Sequence, residues 1–167
     1  MERKKMILTE IYTVTKKCVA ALPEFFKGVE VTFPFEGRTT PIGDWSDRGN
    51  MGMVVTGDGI GLKSGVYIFA KPDGEVIYIG KAASLHQRVW GHVQTPETLE
   101  DGRKIFPKQG FHCENSREEI ELIKSGEALL GVITVSDSDL VSLIEVYLHT
   151  KHIKKCGKLP ALNKQIG

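Results

Sequence analysis

The chain has 167 residues, 41% of them hydrophobic and 26% charged, with a formal net charge of +1. That length sustains one domain with a proper core, and the composition is that of an ordinary globular chain. Near-neutrality excludes bulk electrostatic attraction to nucleic acid, so such a partner would have to be met by local basic clusters. No apolar run approaches the roughly 20 residues of a membrane span.

Cys18, Cys113 and Cys156 are widely spaced, which suits reduced thiols in a cytoplasmic protein better than a disulfide framework. The opening Met6-Ile7-Leu8 is cut short by Thr9 and Glu10, so no signal-peptide core forms. Met6, Ile11, Val14, Cys18 and Leu22 recur at spacings near three and four, predicting an amphipathic helix over 5–22 that Pro23 ends. Val29 to Phe35 alternates as a strand, and Pro34 sends it to a sheet edge. Residues 36–61 are rich in Gly, Asp, Thr and Pro and read as loop, with a short strand candidate at Met53 to Thr56. Residues 1–63 are therefore expected to form an N-terminal extension that covers the sheet. Substrate selection through Arg38, Trp45 and Arg48 is the sharper alternative.

Two β-branched and aromatic runs, Gly65-Val66-Tyr67-Ile68-Phe69-Ala70 and Val76-Ile77-Tyr78-Ile79-Gly80, flank a Pro72-Asp73-Gly74 turn signal and predict a β-hairpin. Pairing Ala70 with Glu75 across a four-residue loop sets Tyr67 opposite Tyr78, and strand alternation puts both phenols on one face. Gly80 is read as a tight exit, and Ser84 with Gln87 as a capping box that opens a helix. On that helix Leu85, Val89 and Val93 form an apolar stripe, and Arg88 and His92 project together from its shoulder. Two tyrosines, Lys81, Arg88 and His92 thereby gather beside a helix N-terminus, which favours anions.

Residues 94–115 show no period and hold Arg103, Lys104, Phe106, Lys108 and Phe111. Such cations and aromatics either meet a nucleic-acid backbone and its bases or pin a loop to the surface. Ser116 with Glu119 reads as a second capping box, for a short helix closed by Gly126. Leu129 to Val135 is a buried strand. The last helix carries Leu140, Leu143, Ile144, Tyr147 and Leu148 at helical spacing, starts from caps within Ser136 to Asp139 and ends at Gly157. Glu145 lies on the flank of its apolar face. A zinc set of His149, His152 and Cys156 with His112 and Cys113 matches no zinc spacing, and His149 and His152 are expected on the solvated face.

The ordered set Gly65-Val66-Tyr67, then Tyr78-Ile79-Gly80, with Lys81, Arg88 and His92 downstream, resembles the GIY-YIG nuclease superfamily. The resemblance covers residues 64–167 and implies an α+β catalytic domain. Its expected sheet is small, three-stranded and antiparallel, made of residues 65–70, 76–80 and 129–135 and flanked by helices. The implied activity is a metal-dependent DNA endonuclease. Tyr67 would activate water, Tyr78 orient water or phosphate, and Arg88 grip phosphate oxygens. Glu145 would hold one divalent ion, expected to be magnesium, while Gly65, Gly80 and Asn163 would structure the site. Lys81 is expected to lower the pKa of Tyr67. The Arg88 and His92 pair resembles homing, restriction and branched-structure nucleases, whereas Val76-Ile77-Tyr78-Ile79-Gly80-Lys81-Ala82 resembles the incision subunit of excision repair. The first reading is a self-contained site-specific enzyme of type II restriction kind, with DNA as partner and a homodimer on the substrate as an open question. Arg103, Lys104 and Lys108 are the candidate DNA contacts. The alternatives are a structure-specific or repair-type nuclease and, from another class, a catalytically silent nucleic-acid-binding module.

Overall fold

The computed structural model describes residues 3–45 and 59–166, so Arg48 and the strand candidate at Met53 to Thr56 lie outside the described residues. Helix α1 (Leu8–Ala21) buries Leu8, Ile11, Tyr12, Thr15 and Cys18, one stripe at helical spacing. Four strands form the main sheet: β1 (Val31–Thr32), β2 (Gly65–Ala70), β3 (Val76–Ala82) and β6 (Leu129–Val135), antiparallel in the order β1-β6-β2-β3. Helix α2 (Leu85–Val93) follows β3, and a two-stranded ribbon, β4 (Glu97–Thr98) with β5 (Lys104–Ile105), occupies the stretch without period. Helix α3 (Arg117–Lys124) precedes β6, and helix α4 (Ser138–Cys156) completes the domain. No helix among the described residues is long and apolar enough to cross a membrane.

The sheet has one strand more than the expected three. Val31 and Thr32 pair with Val135 and Thr134, and single bridges join Pro41 to Leu129 and Ile7 to Glu75. The N-terminal residues are therefore stitched into the sheet. β2 and β6 are buried at every position because both their faces are covered. Val66, Ile68, Ile79 and Ile133 pack toward α1 and α4, while Tyr67, Phe69, Leu130 and Val132 pack with α2, Phe35 and Trp45.

The hairpin closes more tightly than its loop length suggests. Lys71 N–H donates to Glu75 O at 2.8 Å, Gly74 takes φ +91°, and Ala70 pairs with Val76. A bulge then slips the register, so that Phe69 faces Tyr78 and Tyr67 faces Gly80. The expected opposition of Tyr67 and Tyr78 is thus displaced by two residues. An even displacement preserves side-chain parity, and both phenols still share one face. Gly80 lies within β3, where a Cβ would come within 2.6 Å of the Tyr78 ring and 2.8 Å of Tyr67 Cζ. The Tyr67 ring, not a tight exit, requires the glycine. Gly65 is needed for a second close approach, since a Cβ there would lie 2.0 Å from Ile133 O.

Neither expected capping box forms. Ser84 precedes α2 without a side-chain cap, and Ser116 Oγ instead donates to Ala161 O at 3.0 Å. At α4 the cap is Asp137, whose Oδ1 accepts from Asp139 N–H, and Gly157 ends the helix at φ +78°. The chain then turns back along the outer edge of β3. Leu162 N–H donates to Ile77 O at 2.9 Å, Asn163 Oδ1 accepts from Ile79 N–H at 2.9 Å, and Asn163 Nδ2 donates to Ile79 O at 2.8 Å.

Gly80→Ala should therefore overpack the two phenols and cost about 1–3 kcal/mol. At this chain length that is a fall in Tm of roughly 2–4 °C per kcal/mol, read by thermal unfolding. An unchanged Tm would mean that the Tyr67 ring is free to move aside.

Candidate active site

Because β3 is the outer strand, side chains from both of its faces can meet around its edge. A cleft of about 400 Å³ opens there. Tyr78, Arg88 and His92 reach it from the α2 side, Lys81 and Glu145 from the α4 side, and Asn163 closes one end. Strand alternation accounts for the division, since Tyr78 and Lys81 point to opposite faces.

Leu85, Val89, Trp90 and Val93 bury the inner face of α2, which leaves Arg88 exposed and His92 half-buried one turn beyond it. His92 packs against Phe111 with ring centroids 4.1 Å apart and against Tyr78 at 5.1 Å. Burial, reinforced by the Arg88 charge, holds the His92 pKa down to about 4, so the ring is neutral at neutral pH. Its Nε2 is buried without a hydrogen-bond partner. Phe111, itself buried, forms the wall of the cleft behind His92 and Tyr78. In a stretch without period, only its aromatic character marked it.

Tyr67 sits fully buried behind Tyr78, with the two hydroxyls 3.4 Å apart. Burial pushes its phenol far above the usual range, Tyr78 adds to the shift, and Arg88 opposes it. The expectation that Lys81 lowers this pKa is corrected by the geometry. Lys81 points to the other face, its Nζ 3.2 Å from Ser142 Oγ and 3.5 Å from Glu145 Oε2, and the cation acting on Tyr67 is Arg88.

Glu145 lies within the buried stripe of α4, beside Val141, Ile144 and Leu148, and is 4% exposed. Burial raises its carboxyl pKa, and Lys81 opposes the shift through charge and hydrogen bonding. Lys81 Nζ is within ion-pair range, but Glu145 Oε2 has no hydrogen-bond partner. A buried carboxylate oxygen with spare capacity, facing an open cleft, fits a hard divalent cation whose other ligands are water and phosphate. Among the described residues no group of three or more His, Cys, Asp and Glu side chains could hold a metal. His149 and His152 are buried, against the expectation of a solvated face, and His152 Nδ1 lies 2.7 Å from Lys158 O.

The other sequence-derived candidates lie away from the cleft. Lys104 is 9% exposed with Nζ 5.2 Å above the Trp90 ring, so it packs inward rather than presenting charge to DNA. Arg103 pairs with Asp44 at 3.6 Å, and Lys108 is exposed. Trp45 is fully buried and stacks on Trp90 at 5.1 Å, which removes it from substrate selection. Arg38 lies 4.4 Å over the Phe35 ring.

Two titrations report on this site. Holding a carboxylate charge in a buried stripe is costly, and an amide of the same shape removes that charge, so Glu145→Gln should raise Tm by roughly 2–4 °C for each kcal/mol recovered at pH 7–8. Because the folded carboxyl has the raised pKa, the advantage should shrink as pH falls through that raised value toward 4.5. His92 has the opposite sign of linkage. Below pH 6.5 the unfolded ring takes up a proton that the folded ring refuses until about pH 4. Wild type should therefore lose stability relative to His92→Gln across that interval, read as urea midpoints against pH. Parallel curves would refute the buried neutral ring.

Comparison with known proteins places this geometry. Residues 63–110 match the family described as a UvrC-like GIY-YIG domain. The chain is 40% identical over 63 residues to UvrABC system protein C of Carboxydothermus hydrogenoformans, an alignment covering 38% of this chain and 9% of that protein. The chain thus spans a small part of that relative's length. No solved structure matches it. The matched residues contain the hairpin, the glycine beneath the Tyr67 ring and the helix that carries Arg88 and His92, so this part of the chain is similar to the UvrC-like GIY-YIG domain.

Proposed function

We propose that the chain hydrolyses phosphodiester bonds in DNA with the help of a divalent cation, as an incision nuclease of repair type. The observation that carries this is the convergence at one open strand edge of Tyr78, His92 and Arg88 from one sheet face with Lys81 and Glu145 from the other. A phosphodiester in the cleft would lie between a guanidinium and an ammonium. Arg88 can hold two non-bridging oxygens through its planar fork, and Lys81 meets the same charge from the opposite wall. Preorganised cations in a half-buried site act on the charge that grows in the transition state.

The attacking water belongs beside Tyr78 and His92, whose neutral ring can orient it or take up a proton. Tyr67 supports this arrangement from behind, through its hydroxyl contact with Tyr78. With its pKa raised by burial it acts as a neutral phenol until a bound cation alters its surroundings. Glu145 is the residue that would hold the metal, magnesium by its donor chemistry. When bound, such an ion offsets negative charge at the leaving oxygen.

The motif points both ways, to restriction and related nucleases through Arg88 and His92 and to the repair subunit through Val76 to Ala82, and the chain's extra segments tip the sequence reading toward a self-contained restriction-type enzyme. The matched family and the excision-repair relative support the repair-type reading instead. DNA cleavage decides between them. Wild type with magnesium should nick or cut one of a supercoiled plasmid, a linear duplex, a fork or a flap. Arg88→Ala and Glu145→Ala should each lower kcat by about 10²–10³. Magnesium should raise the Tm of wild type and leave that of Glu145→Ala unchanged. Cutting confined to forks or flaps supports the repair type, discrete fragments from a long duplex would replace it with the restriction type, and binding without cutting of any substrate would leave a silent module.

A further inference from the structure

Next to the catalytic cleft lies a second hollow of about 580 Å³, between the start of α2 and the start of α4. Its polar lining is Lys81, Ser84, Gln87, Arg88, Ser138 and Ser142, over an apolar floor that includes Val141. Lys81 and Arg88 line both spaces, so the cleft and the hollow form one groove along the β3 edge with two cations at its waist. Among the described residues no carboxylate lines the hollow. Glu145 belongs to the cleft alone, and Asp137, near the rim, has its Oδ1 engaged by Asp139 N–H. The donors in the hollow are hydroxyls, one amide and the two cations. Ser84 Oγ is buried there with no partner, and Ser142 Oγ accepts from Lys81 Nζ at 3.2 Å.

Ser138, Ser142 and Glu145 follow one face of α4 and span about 10 Å of its axis at 1.5 Å per residue. We propose that this hollow is a second phosphate subsite, which holds a DNA phosphate flanking the one in the catalytic cleft. The proposal rests on the nuclease reading above and adds to it where the strand runs. The backbone passes over Lys81 and Arg88, and the flanking phosphate accepts hydrogen bonds from Ser84, Gln87 and Ser138.

Gln87→Glu and Ser138→Glu test this, since both positions line the hollow and neither lines the cleft. Binding is read by fluorescence anisotropy and cleavage by steady-state kinetics, on labelled DNA oligonucleotides in magnesium. Each variant should weaken binding and raise KM about tenfold with kcat little changed, and the slope of log K against log salt should fall by about one. Gln87→Lys should tighten binding, and opposite signs at one position exclude a folding defect. In wild type, a neutral methylphosphonate linkage moved stepwise along the strand should reproduce the loss at one position beside the scissile linkage. On that strand wild type and the Glu variants should bind alike. Unchanged KM, an equal loss at every linkage, or a Glu penalty that persists in full on the neutral strand would overturn the subsite. A wild type that binds with this pattern but cuts nothing would refute the nuclease reading and leave the subsite standing. Cutting without the linkage effect would do the reverse, and no binding to any strand would refute both.

Discussion

A side-chain amide pairs with Ile79 as a neighbouring peptide would. Asn163 accepts from Ile79 N–H and donates to Ile79 O, one residue after Leu162 N–H donates to Ile77 O and two residues further along the strand. β3 is an outer strand, and its unpaired groups would otherwise invite another chain. On such a strand every second residue faces outward, so the next after Ile77 and Ile79 is Lys81. Its ammonium lies 3.5 Å from Glu145 Oε2, and its charge favours the ionised carboxylate. The strand edge is thus satisfied at Ile77 by the tail and at Ile79 by a side-chain amide, and Glu145 of α4 stands beside the next outward position. The cleft exists because this cover is made of side chains, which leave gaps that a fifth strand would fill.

The same geometry sets the electrostatics. Tyr67, His92 and Glu145 are each driven by burial toward their neutral forms, and each lies within the influence of Arg88 or Lys81. A carboxylate held in a buried stripe, without a full set of hydrogen bonds, destabilises the empty protein. Such local conflict between stability and position is expected where a site is prepared for a ligand that brings its own charge. A phosphate bound as proposed would offset the Arg88 charge, the lesser of the two causes that disfavour the imidazolium at His92. Binding and proton affinity would then be coupled through one guanidinium.

Much of this was legible in the sequence, for physical reasons that differ by residue. The shared face of Tyr67 and Tyr78 survived an error in register because strand parity tolerates a shift of two. Arg88 and His92 were readable because one helical turn is a local relation. Tertiary relations were not. The edge strand expected over Val29 to Phe35 forms only at Val31 and Thr32, its pairing with β6 was beyond a local reading, and Trp45 looked like a loop residue until Trp90 and the sheet closed over it. The charge on Lys104 pointed to an exposed contact, yet an aromatic face beside its ammonium keeps it within the fold. Both serine caps failed because local capping competes with burial and with Ala161, which no local reading supplies.

The near-neutral charge bears on how such a site could meet a polyanion. With a net charge of +1, the protein as a whole exerts little long-range pull, and screening removes most of it beyond about 8–10 Å. What attraction there is must come from cations kept out of ion pairs or shared between walls. Several basic residues are already committed: Lys71 to Glu118 and Glu119, Lys155 to Glu10, Arg103 to Asp44. Arg88 and Lys81 differ in standing where two concave spaces meet, and Lys81 has a buried partner that a divalent ion would share. Few phosphates would then be neutralised, so affinity would be modest and its salt dependence shallow. Discrimination would follow from how well a strand threads a groove with walls on both sides, a demand that a bent or partly opened duplex meets more readily than a straight one.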